Sequence, residues 1–312
     1  MTSLSNSGTS IMLSPATIGF FASIYHPAGM GLISPGVRNR GMALGINGVA
    51  GTAGLATAPF AAGLLNWLVG WKIAYLLIGG FSIFWGIILS LGRIDETPVH
   101  RNEEMTNNKS NNNYLKYFLI VCVVMTLAGL AYRANNVVLP AYLEYRAGFL
   151  WKFFQSFNHT NIEGTKTMAT TLLTSFIYLV AIFGQLAGGE LADKYDLRRL
   201  YLIFHGLSLP FLIFMGIFSE QLLVISAAIY IFFALGMQPI ENSLVANFTP
   251  HRWRSTGYGI KFILTFGVGS TAVYFVGWIK EAWGLNAVYF FSGGIVVPIL
   301  LFIIFLILSS RE

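Results

Sequence analysis

The stretch "ISPGVRNRGMALGIN" at residues 33–47 has a second copy, with substitutions, in "FTPHRWRSTGYGIK" at residues 248–261. Both copies carry a proline, then an Arg-x-Arg motif, then a glycine, and both lie between long apolar runs. The similarity extends upstream, since "FFASIYHP" at 20–27 matches "FFALGMQP" at 232–239 as Phe-Phe-Ala-x4-Pro. A duplicated pair of apolar segments joined by a basic loop predicts two related halves in parallel orientation.

The composition indicates the class of protein. Hydrophobic residues make up 55% of the 312-residue chain and charged residues 10%, whereas about 25% of a typical soluble domain is charged. Apolar runs of about 20 residues recur along the chain, and each can cross a bilayer as a helix, whereas barrel strands would be shorter and alternating. We predict an all-α integral membrane protein with nine transmembrane helices, at 11–34, 41–65, 71–92, 115–143, 168–192, 200–218, 221–247, 257–279 and 286–309.

The net charge of +6 comes from basic residues whose distribution indicates which side of the membrane each loop faces. It therefore argues against a nucleic-acid partner. In the nine-helix arrangement most loop lysines and arginines fall on one side of the membrane, which the positive-inside rule assigns to the cytoplasm. This predicts a cytoplasmic C-terminus, a chain N-terminus on the outside, and residence in a bacterial inner (plasma) membrane. The lone cysteine, Cys122, lies in an apolar run, so neither a disulfide framework nor a metal cluster is expected.

A polar segment at 93–113 divides the chain into unequal parts. It is rich in asparagine and charge, which is typical of a linker. We expect a partial N-terminal helical bundle at 1–92, a cytoplasmic linker at 93–113 and a six-helix C-terminal bundle at 114–312. If the two bundles were once equal, about three helices of the first are missing from this chain.

Three features resemble the major facilitator superfamily, whose members have six plus six helices and a cytoplasmic central loop. The duplicated basic loop is similar to the family's connections between helices 4 and 5 and between helices 10 and 11. "GINGVAGTAGLATAPFAAG" at 45–63 is similar to the Gly- and Pro-bearing fifth helix. "GGELADKYDLRRL" at 188–200 is similar to the family's signature loop, here between helices 8 and 9, although the glycine that usually precedes the basic pair is absent. The positions that match this loop are Gly189, Asp193, Arg198 and Arg199.

The resemblance implies a general-substrate-transporter-like fold that contains helices 4 to 6 of the N-terminal bundle and all six of the C-terminal bundle. It implies a secondary active transporter that works by alternating access, as a proton- or ion-coupled symporter or antiporter. The implied partners are a small-molecule substrate, a coupling ion and the lipid bilayer, with no cofactor and no obligate protein partner. The implied cytoplasmic gating loop consists of Gly189, Asp193, Arg198 and Arg199 together with the duplicated basic pairs Arg38, Arg40, Arg252 and Arg254.

Polar residues inside the apolar runs are the candidates for substrate binding or coupling, because a charge at mid-bilayer costs about 2.5–3.5 kcal/mol. His26 and Glu241 lie at matching positions before the duplicated loops, each about 13 Å from the cytoplasmic edge. The resemblance places these residues on helices that line the central cavity. The full set of candidates is Tyr25, His26, Arg133, Asn135, Asn136, Gln238, Glu241, Asn242 and Lys261.

Each candidate also has a structural alternative. Glu241 is interpreted either as a proton carrier or as an ion partner of Lys261, and Lys261 and Arg133 could instead extend toward the membrane surfaces. His26 could be a hydrogen-bonded histidine at a helix kink. Because potential cations outnumber the single acid, we expect an organic anion as the substrate.

Glycines at 45, 48, 51 and 54 recur every third residue in the second predicted span. Residues without side chains let a neighbouring helix approach closely. We therefore predict that these four glycines form one contact stripe, which could serve either sliding between the halves or static packing.

Two other functions compete with transport. A membrane enzyme would need a dense His, Asp and Glu constellation, but the five histidines are scattered and no HExxH or nucleophile motif is present, so no enzymatic activity is expected. A non-transporting remnant is the second alternative, because nine helices do not make two bundles of six.

Overall fold

The computed structural model describes residues 2–37, 39–92, 113–156 and 162–310 of the chain. Arg38 and the predicted linker, apart from Asn113, lie outside these residues. The described residues are almost entirely helical and contain no β-strand. Their α-helices are α1 (Gly8–Ala22), α2 (Tyr25–Gly36), α3 (Arg40–Val69), α4 (Trp71–Leu91), α5 (Asn113–Arg146), α6 (Phe149–Gln155), α7 (Ile162–Lys194), α8 (Leu197–Ile217), α9 (Glu220–Phe248), α10 (Arg254–Phe262), α11 (Ala272–Trp283) and α12 (Leu285–Ser309).

Seven described segments are long and apolar enough to cross a membrane. They coincide with seven of the predicted spans and confirm an all-α membrane protein. The predicted spans at 11–34 and 41–65 are also helical but do not belong to this group, so the count of nine stays a prediction. The seven segments are Trp71–Leu91, Tyr114–Arg146, Thr165–Lys194, Leu197–Ile217, Glu220–Phe248, Arg254–Trp283 and Leu285–Ser309.

The first predicted span is divided into two helices. α1 ends at Ala22 and α2 begins at Tyr25. Pro27 occupies the first turn of α2, where a backbone N–H would have no partner within the helix. The proline therefore marks a new helix start, which places Tyr25 and His26 at the break between α1 and α2.

The predicted span at 257–279 is interrupted by irregular turns. A π-helical turn at Ile263–Gly267 and a 3-10 turn at Val268–Thr271 separate α10 from α11. Gly129 of α5 lies against this segment so closely that a β-carbon there would come within 2.7 Å of the Thr265 carbonyl oxygen. The glycine thus lets α5 approach the backbone of the irregular segment, and such π turns often occur at functional sites.

The C-terminal part, α5–α12, packs around glycine crossings. Gly184 and Gly188 of α7 face Phe232 and Gly236 of α9, and a β-carbon at Gly188 would overlap the Gly236 carbonyl oxygen. Small residues of this kind let two backbones touch and gain van der Waals contact within a membrane. This crossing holds α7 against α9, and α7 also contacts the N-terminal part, α1–α4.

α3 packs on α7 and joins the two parts of the chain. Gly41 and Gly45 of α3 lie against the backbone of Gly189, and Gly48 lies against the side chain of Gln185. A β-carbon at Gly45 would come within 2.8 Å of the Gln185 carbonyl oxygen. The close approach of the α3 and α7 backbones therefore requires glycine at positions 41 and 45.

The predicted glycine stripe is right for Gly45 and Gly48 and wrong for Gly51 and Gly54, which have no atoms within 4 Å of a β-carbon position. A strict three-residue repeat drifts around a helix of 3.6 residues per turn, so its later members leave the contact face. The face that stays in contact continues instead through buried Thr52, 2% exposed.

Candidate functional site

The side chain of Asp193, near the end of α7, caps the start of α3. One carboxylate oxygen accepts the backbone N–H of Gly41 at 2.7 Å, and the other accepts that of Met42 at 2.8 Å. These N–H groups belong to the first turn of α3, where they have no partner within the helix and where its dipole favours a negative charge. A single carboxylate of the C-terminal part therefore binds the N-terminal part, at the end predicted to be cytoplasmic.

Arg40 forms a second link between the two parts at this end. Its guanidinium donates to the Asn247 side-chain oxygen on α9 at 3.2 Å. Gly189, which also belongs to the signature loop, allows the close contact with α3 described above. Three of the residues predicted for gating, Asp193, Gly189 and Arg40, are thus brought together where α3 meets α7 and α9.

Arg198 and Arg199 lie elsewhere in the same loop region. Asp196 accepts the Arg199 backbone N–H at 3.0 Å as the N-cap of α8, and its carboxylate pairs with Arg198 at 2.8 Å. Arg198 also donates to the Ser310 carbonyl at 3.0 Å. Burial alone would raise the pKa of Asp196, but the hydrogen bonds from Arg198 and from the Arg199 backbone outweigh it and lower the pKa. These two arginines therefore stabilise the start of α8 and its contact with the end of α12.

The basic pair of the second copy lies at the start of α10. Arg252 places its guanidinium over the ring of Trp253, 5.2 Å from the centroid. Nε of Arg254 is buried and has no hydrogen-bond partner among the described residues. In the contacts described for Arg252 and Arg254, neither side chain joins the two parts of the chain as Arg40 does.

A buried ion pair lies in the C-terminal part between α9 and α10. Nζ of Lys261 is 2.9 Å from a carboxylate oxygen of Glu241, and the two side chains are 4% and 6% exposed. Lys261 also donates to the side-chain oxygen of Asn242, and the Tyr201 hydroxyl of α8 donates to the second carboxylate oxygen of Glu241. Lys261 therefore points into the protein and does not extend to the cytoplasmic surface.

Further polar groups surround the ion pair. The Tyr258 hydroxyl donates to the Asn242 carbonyl at 3.0 Å, and the His205 ring packs edge-to-face on Tyr201 with centroids 4.7 Å apart. Nε2 of His205 is buried without a hydrogen-bond partner among the described residues. The carboxylate of Glu241 compensates the buried charge of Lys261, and removing either partner would leave the other charge uncompensated.

A second polar cluster lies at the interface of α3, α7 and α9. Nε2 of Gln185 donates to the Gln238 side-chain oxygen at 3.0 Å and is 3.5 Å from the Thr52 hydroxyl. The other amide atom of Gln185, Oε1, is buried without a partner beside Gly48. Gln238 is thus hydrogen-bonded to Gln185 within the C-terminal part, and Gln185 also contacts Thr52 of the N-terminal part.

Tyr25 and His26 occupy the break between α1 and α2. The partly exposed Tyr25 hydroxyl donates to the Asn47 side chain at 3.0 Å. The His26 ring stacks on Phe262 of α10 with centroids 4.5 Å apart, close enough to Lys261 for their charges to interact. His26 therefore contacts the C-terminal part next to the ion pair.

The α5 candidates lie away from this ion pair. The Tyr178 hydroxyl of α7 donates to the Asn136 side-chain oxygen at 2.5 Å. Asn135 is 1% exposed, and neither atom of its amide has a partner among the described residues. Arg133 is half-buried and makes no ion pair or hydrogen bond within the described part of the chain.

The structure brings Glu241, Asn242 and Lys261 into one cluster with His26 beside it, and it leaves the other predicted residues in separate places. Sequence reasoning missed Tyr201 and Gln185. A signal existed for Gln185, because it is an uncharged polar residue inside a predicted span, like Gln238. Among the described residues, no cluster of His, Cys, Asp and Glu is arranged to hold a metal ion.

Comparison with known proteins identifies the fold and the family. The family model of the Major Facilitator Superfamily matches the chain over residues 1–157 and 121–312. The crystal structure of a variant of the Escherichia coli fucose:proton symporter FucP is similar with a TM-score of 0.62 and 12% identity, over 90% of this chain and 73% of that chain. At this identity the structural similarity concerns the fold alone. No curated protein matches the chain.

Proposed function

The chain belongs to the Major Facilitator Superfamily and is a membrane transporter, and we propose that it is a secondary active transporter of a small organic anion. In this proposal a proton or another ion is the coupled species, and the solute crosses by alternating access as a symport or an antiport. The family points to a transporter and not to an enzyme.

The buried pair of Glu241 and Lys261 is the observation that carries the coupling proposal. A carboxylate within a membrane span is costly unless it is paired, and both oxygens of Glu241 have partners. Loading Glu241 with a proton would release Lys261, and unloading it would restore the pair. Two states with different contacts of α10 are what a coupled transporter needs. The fucose:proton symporter, which shares the fold, is also named for a coupled proton.

The links at the predicted cytoplasmic end support alternating access. Asp193 binds the first turn of α3, and Arg40 reaches Asn247, so the two parts are tied together at this end. Breaking these bonds would let this end open while the rest of each part stays packed. We propose that the end is cytoplasmic, in a bacterial inner membrane, because the basic loops lie there.

The candidate solute contacts supply positive charge. Arg133 has no acidic partner within the described residues. An organic anion would compensate this charge, which a neutral solute would not.

Transport by purified protein in proteoliposomes tests the proposal. The probes are radiolabelled gluconate, succinate and glycerol 3-phosphate, with fucose as a neutral comparator, and a pH gradient and a sodium gradient are imposed separately. We expect one of the anions to accumulate against its gradient under one of the two driving ions. The variant Glu241→Gln should lose this accumulation, whereas Glu144→Gln, which changes an exposed carboxylate on α5, should keep it.

Two results would contradict parts of the proposal. Accumulation by Glu241→Gln at the rate of Glu144→Gln would remove Glu241 from coupling. Accumulation of fucose with no uptake of any anion would keep the transporter and refute the organic anion. Size-exclusion chromatography of each variant separates a folding defect from a loss of coupling.

A further inference from the structure

We propose that the ring of Phe262 is a positioning group that transmits the state of the Glu241–Lys261 pair to His26 in the N-terminal part. This inference rests on the proposed coupling at Glu241. It adds the contact through which loading and unloading of that carboxylate reach the interface between the two parts of the chain.

Phe262 contacts both the ion pair and the N-terminal part. Its ring centroid is 5.4 Å from Nζ of Lys261, and this Nζ is 2.9 Å from a carboxylate oxygen of Glu241. The His26 ring of α2 stacks on the same phenyl ring, with centroids 4.5 Å apart and an interplanar angle of 22°. Consecutive residues of α10 therefore bind the two parts separately, Lys261 the C-terminal one and Phe262 the N-terminal one.

A second aromatic ring extends the stack on His26. The centroid of Phe266 is 5.7 Å from that of His26 and 5.5 Å from that of Phe262. Aromatic pairs at such separations are stabilised beyond the area that they bury, and a cation within about 6 Å of a ring centroid adds attraction. A displacement of Lys261 would change its contact with Phe262 and so weaken the stack.

The start of α2 is tied to its neighbours, so a movement of His26 reaches other helices. The adjacent Tyr25 donates to the Asn47 side chain of α3 at 3.0 Å. Further along α2, a β-carbon at Gly31 would come within 2.6 Å of the Ser255 hydroxyl oxygen of α10. α3 is also the helix whose first turn binds the C-terminal part. A displacement of His26 would therefore act on α2 and α3 together.

The turns after Phe262 let α10 move separately from α11. Phe262 is the last residue of α10, and the π-helical turn at Ile263–Gly267 begins directly after it. Turns of this kind interrupt the regular hydrogen-bond ladder and often occur at functional sites and helix kinks. The backbone of Thr265 lies against Gly129, which anchors this turn to α5. The arrangement favours a pivot at the end of α10 when Lys261 changes partner.

Coupling then follows from the two states of Glu241. With Glu241 ionised, Lys261 is held at the carboxylate and Phe262 stays on His26. A proton that enters from the aqueous phase and binds Glu241 deprives Lys261 of its counterion. Lys261 then moves to water or to another acceptor, which displaces α10 and loosens the stack. The ionised state opposes separation of α2 from α10, and the protonated state favours it.

Thiol labelling measures this separation without any solute. Met30 of α2 is 4% exposed and belongs to the same core cluster as Tyr258 of α10. A thiol introduced by Met30→Cys should therefore react with N-ethylmaleimide only when α2 moves away. Every protein also carries Cys122→Ala, which removes the single native cysteine. The labelling rate in proteoliposomes is then proportional to the population of the separated state.

Two ring deletions are compared in this assay. Phe262→Leu removes the proposed contact, and the matched control Phe233→Leu removes another partly buried ring, which packs on Phe204 within the C-terminal part with centroids 5.6 Å apart. We expect Phe262→Leu to raise the labelling rate about two- to tenfold, the factor that one aromatic pair contributes to an equilibrium. Phe233→Leu should leave the rate unchanged, and Phe262→Tyr, which retains a ring, should stay near the wild type.

Dependence on Glu241 distinguishes transmission from simple packing. Glu241→Gln should raise the labelling rate when Phe262 is present and add little when Phe262→Leu is present, because the pair then no longer acts on α2. His26→Phe should keep this dependence, whereas His26→Leu should lose it. Under a driving gradient, Phe262→Leu should still admit the transported anion downhill but accumulate it less than Phe233→Leu does.

Other outcomes would overturn the inference. Labelling of Phe262→Leu at the rate of Phe233→Leu would mean that the Phe262 ring does not hold the two parts together. If Glu241→Gln changes the rate by the same factor with and without the ring, the ion pair reaches the interface by another route. Because labelling needs no solute, a failure to take up any anion would refute the proposed substrate class and leave this test of Phe262 standing.

Discussion

The carboxylate of Asp193 accepts the backbone N–H of Gly41 at 2.7 Å, so a residue of α7 caps the first turn of α3. Its other oxygen binds the next N–H, that of Met42. A side chain that occupies two donors of another helix joins two parts of the chain far apart in sequence. These two bonds would have to break for the parts to separate at this end.

Asp193→Asn should open this end of the protein. The amide retains one acceptor but loses the charge that interacts with the helix start, and bonds to charged groups contribute about 1.5–3 kcal/mol each. The control is Glu190→Gln on the same helix, an exposed carboxylate whose salt bridge is with Lys194. Double electron–electron resonance measures the distance between spin labels placed at the exposed positions Val37 and Tyr195. This distance should be longer in Asp193→Asn than in the wild type, and it should be unchanged in Glu190→Gln. Equal distances in the two variants would contradict the role of Asp193 in holding this end closed.

Glu241→Gln and Lys261→Met should each destabilise the protein, and the double variant should recover most of the loss. Removing one partner leaves a buried charge without compensation, which costs about 3–5 kcal/mol, whereas removing both leaves none. Thermal unfolding in detergent of the wild type, both single variants and the double variant gives the coupling between the two residues. Additive losses would mean that the two side chains do not interact.

Gly48→Ala should weaken the contact between α3 and α7, whereas Gly51→Ala should not. A β-carbon at Gly48 would come within 2.6 Å of the Gln185 side-chain Cδ, and it would displace the amide from Gln238. Gly51 has open space at the same position, so its replacement gains helix propensity of up to about 1 kcal/mol at no steric cost. The melting temperature should fall for Gly48→Ala and stay or rise for Gly51→Ala. The same change in both variants would contradict the packing.

Asp196→Asn should destabilise the protein at neutral pH and have no effect in strong acid. The folded pKa of Asp196 is lowered by its bonds with Arg198 and the Arg199 backbone, although burial opposes this. A lowered folded pKa gives stability that is complete above the unfolded value of about 3.9 and is lost as the pH falls through the folded value. Melting temperatures of the variant and wild type should differ at pH 7, and the difference should shrink as the pH falls below about 3.9 toward the folded pKa. A constant difference across this range would argue against the charged contact.

Much of the fold was predictable because membrane spans are encoded locally. Run length, hydropathy and the basic loops placed seven spans that the structure also has. Pro27 gave a local signal for the break before Tyr25, where a helix kink was one interpretation of His26. The irregular turns after Phe262 were not predicted, because the approach of Gly129 to Thr265 involves a second helix, which no periodicity within one segment reveals.

The candidate site was only partly predictable for the same reason. Charged residues in apolar runs stand out, so Glu241 and Lys261 were identified from sequence and their pairing was one of the alternatives considered. Tyr201 completes the cluster from another helix, and an isolated tyrosine in an apolar run gives no signal. The partners of Asp193 were not predicted either, because they are backbone N–H groups that have no sequence signature.

Proton movement coupled to solute uptake is the most direct test of the central claim. De-energised proteoliposomes containing the wild-type protein are given the transported anion in a weakly buffered medium, and the external pH is recorded. With a proton as the coupled species, we predict a pH change that requires both the anion and the protein and is absent in Glu241→Gln. A sodium flux in place of the pH change would identify the other coupling ion, whereas anion entry with no ion movement would contradict coupled transport.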